Sequence, residues 1–337
     1  MRDVLRSVFF VSLPAFVAIC LLTEASLRFI GYVPYYLDGD AFVPSANPNV
    51  IYEPRPGFSG LYAGVPISIN SEGFRGGEAT RIDDDSTLRI VVVGDSIAFG
   101  QGVRDEETLS VRLQTRLRRQ LDRPVVVVNM GVPGYNTCQE YARFEAKGLA
   151  PKTQIALLLY YENDTEMPVF HVRNATVVSP DTRVGWFGEL MASARKKSLA
   201  YNLIWTRWQV LKEPAYTIDQ YRSILTRKFT EGSGGWDRSK ACLRQLVSLA
   251  RRHSVRMIVV PFPVLGTVVE PYPFKDYIAA ICEAARASEA ECLDVVPALA
   301  KSGIRFTISS VETHPSADVY RLIADQIGEA LSVSRPN

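Results

Sequence analysis

The chain contains a serine, a histidine and a carboxylate placed so that they could together cleave an ester. Gly94-Asp95-Ser96 directly follows the apolar run Leu88–Val93, a pattern that predicts a buried strand ending in a sharp turn that carries the serine. A serine hydroxyl is a weak nucleophile until a base takes its proton. His314 could act as that base, and Glu312, two residues earlier, could orient its ring.

Two further segments could complete such a site. Asn129–Gly134 and Tyr161–Asp164 each follow an apolar, strand-like run. In a parallel sheet the carboxyl ends of all strands lie at one edge, where open α/β sheets place their sites. The tetrahedral intermediate of ester cleavage needs hydrogen-bond donors for its oxyanion, and the backbone N–H groups of Ser96 and Gly134 and the side-chain amide of Asn163 could supply them.

The elements that must position these residues alternate between strand and helix. The predicted strands are Leu88–Val93, Val125–Val128, Ile155–Tyr160, Arg256–Val260 and Cys292–Val295. The predicted helices span about 108–121, 137–147, 238–252, 274–287 and 317–331. This alternation favours an α/β fold in which helices sandwich a parallel sheet.

The N-terminus predicts a membrane anchor. Arg2 and Arg6 precede an apolar stretch from Val8 to Leu22, and apolar residues continue through Ile30. Its length falls between a signal-peptide core and a full span. A single-pass anchor is favoured because no clean cleavage site appears; a cleaved signal peptide and a buried core helix remain as alternatives. The arginines place the short N-terminal side in the cytoplasm and the main domain outside it.

The predicted domain organisation follows from these patterns. Residues 1–31 form the anchor, 32–86 a stalk with a small irregular cover, and 87–337 the main domain, with an insertion at about 165–236. Ile67–Asn70 alternates like a short edge strand. Within the insertion, Glu189–Leu211 predicts a basic, aromatic helix. Such a helix either lies on a membrane surface, covers the substrate or, as we favour, packs on the domain with a solvated basic face.

Composition excludes several classes of function. The net charge of +2 argues against a dedicated nucleic-acid binder, and 47% hydrophobic residues are typical of a globular protein. The three histidines are too few and scattered for a His-based metal site, and the five cysteines lack metal-ligand spacing. We expect no metal and no cofactor. A disulfide between Cys282 and Cys292 is possible, although unpaired buried thiols fit at least as well.

The four segments around Ser96, Gly134, Asn163 and His314 resemble the four sequence blocks of the SGNH/GDSL hydrolase superfamily, which is named for those four residue types. The resemblance covers about residues 67–331, in block order and in spacing. It implies a flavodoxin-like three-layer α/β/α fold, Ser96 as nucleophile, Gly134 and Asn163 as oxyanion donors with the Ser96 N–H, and His314 as base. The stretches Asn70–Gly76 and Glu24–Gly31 also resemble a bacterial, membrane-anchored subset.

The chain departs from the family pattern at two positions. The acid before the histidine is usually Asp and is here Glu312, whose longer side chain must be accommodated. The third block usually has Gly before Asn-Asp, and here Glu162 occupies that position. A second carboxylate near the oxyanion site could narrow the choice of substrate or impair activity.

We therefore expect an anchored serine esterase outside the cytoplasm that cleaves an O-acyl ester, plausibly an acetyl group on a carbohydrate. Two alternatives remain. An acyltransferase would share the acyl-serine step and use a sugar hydroxyl in place of water, and a non-catalytic glycan-binding or assembly factor would use the same cleft without chemistry.

Overall fold

The computed structural model describes residues 11–35, 39–78, 86–149, 152–168, 170–173, 176–178, 186–212, 216–309 and 312–333. The chain divides into two compact units. We call Met1–Leu37 with Pro180–Pro214 the helical unit, and Asp38–Ser179 with Ala215–Asn337 the sheet unit.

The strands lie in the sheet unit. They are β1 (Phe42–Pro44), β2 (Tyr52–Pro54), β3 (Ser59–Tyr62), β4 (Val65–Ser68), β5 (Leu88–Gly94), β6 (Val125–Asn129), β7 (Thr153–Tyr160), β8 (His171–Arg173), β9 (Thr176–Val178), β10 (Arg256–Pro261) and β11 (Glu291–Cys292).

The α-helices occur in both units. They are α1 (Leu13–Phe29), α2 (Ser96–Phe99), α3 (Leu109–Gln120), α4 (Thr137–Arg143), α5 (Trp186–Lys197), α6 (Leu199–Lys212), α7 (Ile218–Lys228), α8 (Gly234–Arg252), α9 (Lys275–Ala287), α10 (Val296–Ala300) and α11 (Ala317–Val333).

A five-stranded parallel sheet forms the core of the sheet unit, in the order β11-β10-β7-β5-β6. Numbered along the chain, this is the flavodoxin-like order 2-1-3-4-5. β5 and β7 are apolar and buried almost throughout, as expected for strands covered on both faces. Helices pack in groups, α3 with α11 and α4 with α8. The predicted α/β fold with a central parallel sheet is thus confirmed.

The register places the predicted site segments at one edge. Gly94, the last residue of β5, pairs with Leu159 near the end of β7, and Asn129 at the end of β6 pairs with Val92. The turns after these three strands therefore leave the same side of the sheet, and long-range pairing rather than local sequence brings them together.

The observed elements differ from the predicted ones at several places. The fifth strand, predicted over Cys292–Val295, is β11, Glu291–Cys292, so the prediction and the structure share only Cys292. The helix predicted over 137–147 ends as α4 at Arg143, and a single π-helical turn continues it from Phe144 to Gly148. The edge strand predicted at Ile67–Asn70 is β4, Val65–Ser68, which pairs with β3.

Residues 39–78 belong to the sheet unit. Phe42, Tyr52 and Tyr62 are buried there, and their rings meet edge to face. Both Phe42 and Tyr62 also contact the ring of Phe99 in α2. This aromatic cluster joins the N-terminal hairpins to the helix that begins with Ser96.

The helical unit consists of α1, α5 and α6. The single helix predicted at Glu189–Leu211 is two helices, interrupted at Ser198. Both α1 and α5 pack against α6. In the part of the chain that the structure describes, none of the helices combines the length and the apolar character needed to cross a membrane.

Two disulfides tie helices of the sheet unit to neighbouring elements. Cys138 of α4 is bonded to Cys242 of α8, and Cys282 of α9 to Cys292 of β11. The second pairing was one of the two possibilities that the sequence left open. The first was not foreseen, because its partners lie 104 residues apart.

Candidate active site

The serine lies on a sharp turn between a buried strand and a one-turn helix. Gly94 ends β5 with φ +149°, and a Cβ at this position would lie 2.8 Å from the carbonyl oxygen of Leu159. Asp95 then caps α2, since its carboxylate accepts a 2.8 Å hydrogen bond from the backbone N–H of Ile97. Ser96 is the first residue of α2, at the carboxyl edge of the sheet, and 8% of it is exposed.

His314 lies between Ser96 and Glu312. Its Nε2 atom is 2.9 Å from Ser96 Oγ, and its Nδ1 atom is hydrogen-bonded to Glu312 Oε1. An ionised carboxylate can only accept hydrogen bonds, so Nδ1 carries the proton and Nε2 is free to accept from the serine. The carboxylate also accepts from the backbone N–H of His314, at 3.2 Å. Three residues predicted from the sequence are thus hydrogen-bonded in series.

The loop after β6 is attached to the serine turn. The backbone N–H of Val132 donates to the carbonyl of Gly94 at 3.0 Å. A Cβ on Gly131 would lie 2.1 Å from the backbone nitrogen of Phe99, so only glycine allows the loop to approach α2 this closely. Gly134 follows in the same loop with φ +76° and is partly exposed.

Asn163 lies in a 3-10 turn, Glu162–Thr165, directly after β7. Its side-chain amide lies near the Asp95 carboxylate and opposes the rise in the pKa of Asp95 that burial causes. An amide nitrogen carries two hydrogens, so an interaction with Asp95 uses at most one of them.

Comparison with known families supports the same chemistry. The sequence model of the GDSL-like Lipase/Acylhydrolase family matches residues 92–322, about two thirds of the chain. The chain belongs to this family. Its members are hydrolases of ester bonds, and so is this GDSL hydrolase. No protein of curated function matches the sequence significantly.

The chain is also similar to solved structures. A lipase/acylhydrolase from Enterococcus faecalis is 15% identical, with 74% of this chain and 98% of that one covered and a TM-score of 0.42. An acetylxylan esterase from Geobacillus stearothermophilus, solved as a catalytic mutant, is 16% identical, with 76% and 98% covered and a TM-score of 0.42. At such values, the substrates of these enzymes say nothing about the substrate of this GDSL hydrolase.

The departure at Glu162 is compensated within the sheet unit. Its carboxylate accepts a hydrogen bond from the hydroxyl of Tyr221 and lies 2.9 Å from the Nζ atom of Lys228. Lys228 also contacts Glu166 at 2.7 Å. Burial alone would lower the pKa of Lys228, but these carboxylates outweigh it and raise that pKa. The additional negative charge is therefore paired, and helix α7 is attached to the turn that carries Asn163.

Arg75 supports the segment that follows Ser96. Its guanidinium is buried and donates to the carbonyls of Phe99, Gly100 and Val103, and it pairs with Asp105 at 3.1 Å. Gln101, in this segment, places its amide nitrogen 3.4 Å from His314 Nδ1. The motif Gly73–Gly76 thus has a structural role, because its arginine satisfies three carbonyls of the loop beside the histidine.

Sequence reasoning missed Gln101, Tyr221, Lys228 and Glu140. None of these belongs to a recognised block. Tyr221 and Lys228 reach the site from α7, Glu140 from α4, and Gln101 from the loop after α2. Of these residues, only Lys228 could have been anticipated. Glu162 is an additional carboxylate beside the candidate oxyanion donor, and a half-buried carboxylate favours a cationic partner. The sequence could not show which lysine supplies it.

A cluster of buried carboxyl groups lies beneath the site. Asp95, Glu140 and Asp164 are all buried, and neither carboxyl oxygen of Glu140 has a hydrogen-bond partner. Burial raises the pKa of Glu140 well above its usual range, and Asp95 raises it further. Burial, then Glu140 and Asp95, raise the pKa of Asp164 in the same way. Among the described residues, no cluster of three or more His, Cys, Asp or Glu side chains is arranged to hold a metal ion.

Glu140→Gln is expected to stabilise the protein, increasingly so as the pH rises. The folded state holds a proton on Glu140 that the unfolded chain releases above a pKa of about 4.3. The free energy of unfolding therefore falls as the pH rises from there toward the raised pKa. Glutamine is neutral and removes this loss. We expect the variant to melt about 2–4 °C or more above wild type at pH 8, the shift that about 1 kcal/mol gives in a domain of this size.

The test is the difference in Tm between Glu140→Gln and wild type from pH 4.5 to pH 8.5. Glu145→Gln, one turn further along and exposed, is the matched control and should show a nearly constant difference. A difference for Glu140→Gln that does not grow with pH would mean that this carboxyl is ionised in the folded protein.

Asn163→Ala is expected to lower kcat by about 10²–10³ with little change in KM, because an oxyanion donor acts mainly in the transition state. Steady-state kinetics on a soluble ester measures both constants. Asn129→Ala is unsuitable as a control because Asn129 is buried, and the exposed Asn49 serves instead. A raised KM with unchanged kcat would make Asn163 a substrate-binding residue.

Proposed function

We propose that this GDSL hydrolase is a serine esterase that removes a short O-acyl group, plausibly acetyl, from an alcohol such as a carbohydrate hydroxyl. The observation that carries this proposal is the hydrogen-bonded series Ser96–His314–Glu312 at the carboxyl edge of the sheet.

The first half-reaction forms an acyl-serine. Ser96 Oγ attacks the ester carbonyl carbon while His314 Nε2 takes the hydroxyl proton, and Glu312 stabilises the imidazolium that forms. The carbonyl oxygen becomes an oxyanion. The bond to the alcohol oxygen then breaks, and that oxygen leaves with the proton held on Nε2.

The second half-reaction releases the acid. Water enters the place left by the alcohol and gives a proton to His314 Nε2 as its oxygen attacks the acyl carbon. The second tetrahedral intermediate collapses, the bond to Ser96 Oγ breaks, and His314 returns the proton to the serine.

The proposed oxyanion donors are the N–H groups of Ser96 and Gly134 and the amide of Asn163. The Ser96 N–H lies at the first position of α2, where a helix offers no intrahelical acceptor. The loop that carries Gly134 is attached to Gly94, and Asn163 reaches Asp95 beside the serine. All three segments thus adjoin the nucleophile.

The test is turnover of acetylated oligosaccharides and of simple acetyl esters by the purified chain, with labelling by a fluorophosphonate probe in parallel. Release of acetate and labelling of Ser96 support the proposal. Transfer of the acetyl group to an added sugar in place of its release would identify an acyltransferase. Failure of both turnover and labelling would leave a non-catalytic binding function.

We further propose that the N-terminal segment holds the protein at the cell membrane, with the sheet unit on the periplasmic or extracellular side. Arg2 and Arg6 precede the apolar stretch. Many apolar side chains of α1 are exposed, among them Phe16, Ile19 and Leu22. The two disulfides favour an oxidising compartment.

The full chain is therefore expected to fractionate with membranes, and a tag after Asn337 should be open to protease added from the outer side. Carbonate extraction and protease treatment of spheroplasts measure the two properties. A soluble product that begins after about residue 25 would establish a cleaved signal peptide instead.

A further inference from the structure

We propose that helices α5 and α6 form a docking surface for a lipid bilayer that contains anionic headgroups. We call these two helices the hairpin. This inference concerns a surface of the helical unit and is independent of the ester chemistry of the sheet unit.

The hairpin is fixed from one side by α1. Glu24 of α1 accepts hydrogen bonds from Ser198 Oγ and from the backbone N–H of Ala200, both at 3.0 Å. Asn202 is fully buried and makes two hydrogen bonds with the backbone of Tyr35. These contacts lie near the break between α5 and α6 and hold the start of α6 against the segment Leu13–Tyr35.

Large apolar side chains are exposed on both helices. Those of α5 are Trp186, Phe187 and Leu190, and those of α6 are Ile204, Trp208 and Leu211. Trp186 is 78% exposed and Leu211 is 82% exposed. Residues 204, 208 and 211 are spaced by four and three, which places them on one face of α6. Large exposed apolar residues concentrated in one short stretch of the chain indicate an interaction surface.

Basic residues accompany this apolar surface. The stretch 186–212 contains Arg195, Lys196, Lys197, Arg207 and Lys212, and its one acidic residue is Glu189. The chain as a whole carries only +2, so positive charge is concentrated here. Helices that combine exposed Trp and Leu with several Lys and Arg lie in the interface of anionic bilayers.

Two tryptophan rings of the hairpin each have a cationic side chain beside them, an arrangement that suits the headgroup level of a bilayer. The Arg195 guanidinium lies 5.5 Å from the ring centre of Trp205, and the Lys212 Nζ atom lies 4.9 Å from that of Trp208. Tryptophan favours the headgroup level of a membrane because one edge of its ring is polar and the rest is apolar. A cation beside it can reach the phosphates at that level.

A cavity of about 210 Å³ opens between the two helices, lined by Phe187, Met191, Ala192, Arg195, Tyr201 and Trp205. The indole N–H of Trp205 is buried and has no hydrogen-bond partner. A buried donor without an acceptor is costly, and a phosphate or ester oxygen of a lipid would supply one. The cavity therefore favours an occupant with an acceptor oxygen on a headgroup, as a phospholipid has.

Intrinsic fluorescence can test this surface in the full chain. Three of the four tryptophans lie in the hairpin, and the fourth, Trp236, is 3% exposed in the sheet unit. We expect vesicles of brominated phosphatidylcholine with about 30% phosphatidylglycerol to quench the fluorescence. The apparent affinity should fall at least about tenfold when phosphatidylglycerol is omitted.

Two variants and a control separate this surface from the N-terminal segment. R195Q/K196Q/K197Q should lose the dependence on phosphatidylglycerol, and Trp208→Ala with Leu211→Ala should weaken binding about tenfold or more. R251Q/R252Q, at the exposed basic end of α8 in the sheet unit, should match wild type. Hydrolysis of a soluble ester should be the same in all of them.

The proposal is wrong if brominated vesicles leave the fluorescence unchanged, or if the triple variant keeps the dependence on anionic lipid. It is also wrong if the protein without lipid is a dimer that Trp208→Ala dissociates, since a second copy of the chain would then cover the hairpin. Loss of ester turnover with intact quenching would overturn the proposed function and leave this inference standing.

Discussion

Ser96→Ala is expected to lower kcat for ester hydrolysis by about 10³-fold or more, as removal of the nucleophile does in other serine hydrolases. The hydroxyl contacts His314 Nε2 at 2.9 Å and Asp95 at 3.3 Å. Alanine leaves the base in place and gives it nothing to activate. The remaining turnover would come from direct attack of water on the ester, with the oxyanion donors still stabilising the tetrahedral intermediate.

Fluorophosphonate labelling and steady-state kinetics measure this effect. The fold should persist, because a serine side chain at the start of α2 adds little packing; circular dichroism and Tm check this. Ser288→Ala, which removes a half-buried hydroxyl at the end of α9, is the matched control and should keep full activity. Near-normal turnover by folded Ser96→Ala would exclude the acyl-serine mechanism.

Glu312→Gln is expected to lower kcat by about 10³–10⁴-fold. Glu312 is buried, and its Oε1 atom accepts from both Nδ1 and the backbone N–H of His314. A glutamine amide can turn its NH₂ toward Nδ1, and the ring would then carry its proton on Nε2. In that tautomer the ring donates to Ser96 and cannot take the serine proton.

Glu312→Asp tests whether the negative charge alone is enough or whether the length of the side chain also matters. Aspartate keeps the charge, and the loop before α11 must move to bring it to Nδ1, so we expect a milder loss than in Glu312→Gln. Glu106→Gln, an exposed carboxyl in the segment after α2, should be indistinguishable from wild type. Wild-type kcat in Glu312→Gln would reduce the series to a Ser96–His314 pair.

The strands and the family were predictable from the sequence because their signals are local. Apolar runs such as Leu88–Val93 and Val125–Val128 make up all but the last residue of the observed strands, since a strand buried on both faces needs apolar residues throughout. Their ends were less certain: β11 begins one residue before the predicted strand Cys292–Val295 and ends three residues before it does. A strand ends where the neighbouring strand no longer provides backbone groups for hydrogen bonding, which the local sequence does not show.

The break at Ser198 was not predictable in the same way. Residues 189–211 have the composition of one continuous helix, and no glycine or proline marks an interruption within them. Ser198 Oγ accepts a hydrogen bond from the backbone N–H of Tyr201 at the start of α6. Glu24, more than 170 residues away, accepts from Ser198 Oγ and from the backbone N–H of Ala200. A local serine and a distant carboxylate thus stabilise this boundary together.

By itself the sequence determined the order of the site segments and the residue types that could perform ester chemistry. It also placed three of them directly after strands, and parallel strands necessarily bring their carboxyl ends together. Tertiary structure alone decided that His314 lies 2.9 Å from Ser96, that Lys228 neutralises Glu162, and that Glu140 is buried beside Asp95 without a partner. These are contacts between elements far apart in the chain, and their distances follow from how the layers pack rather than from any local pattern.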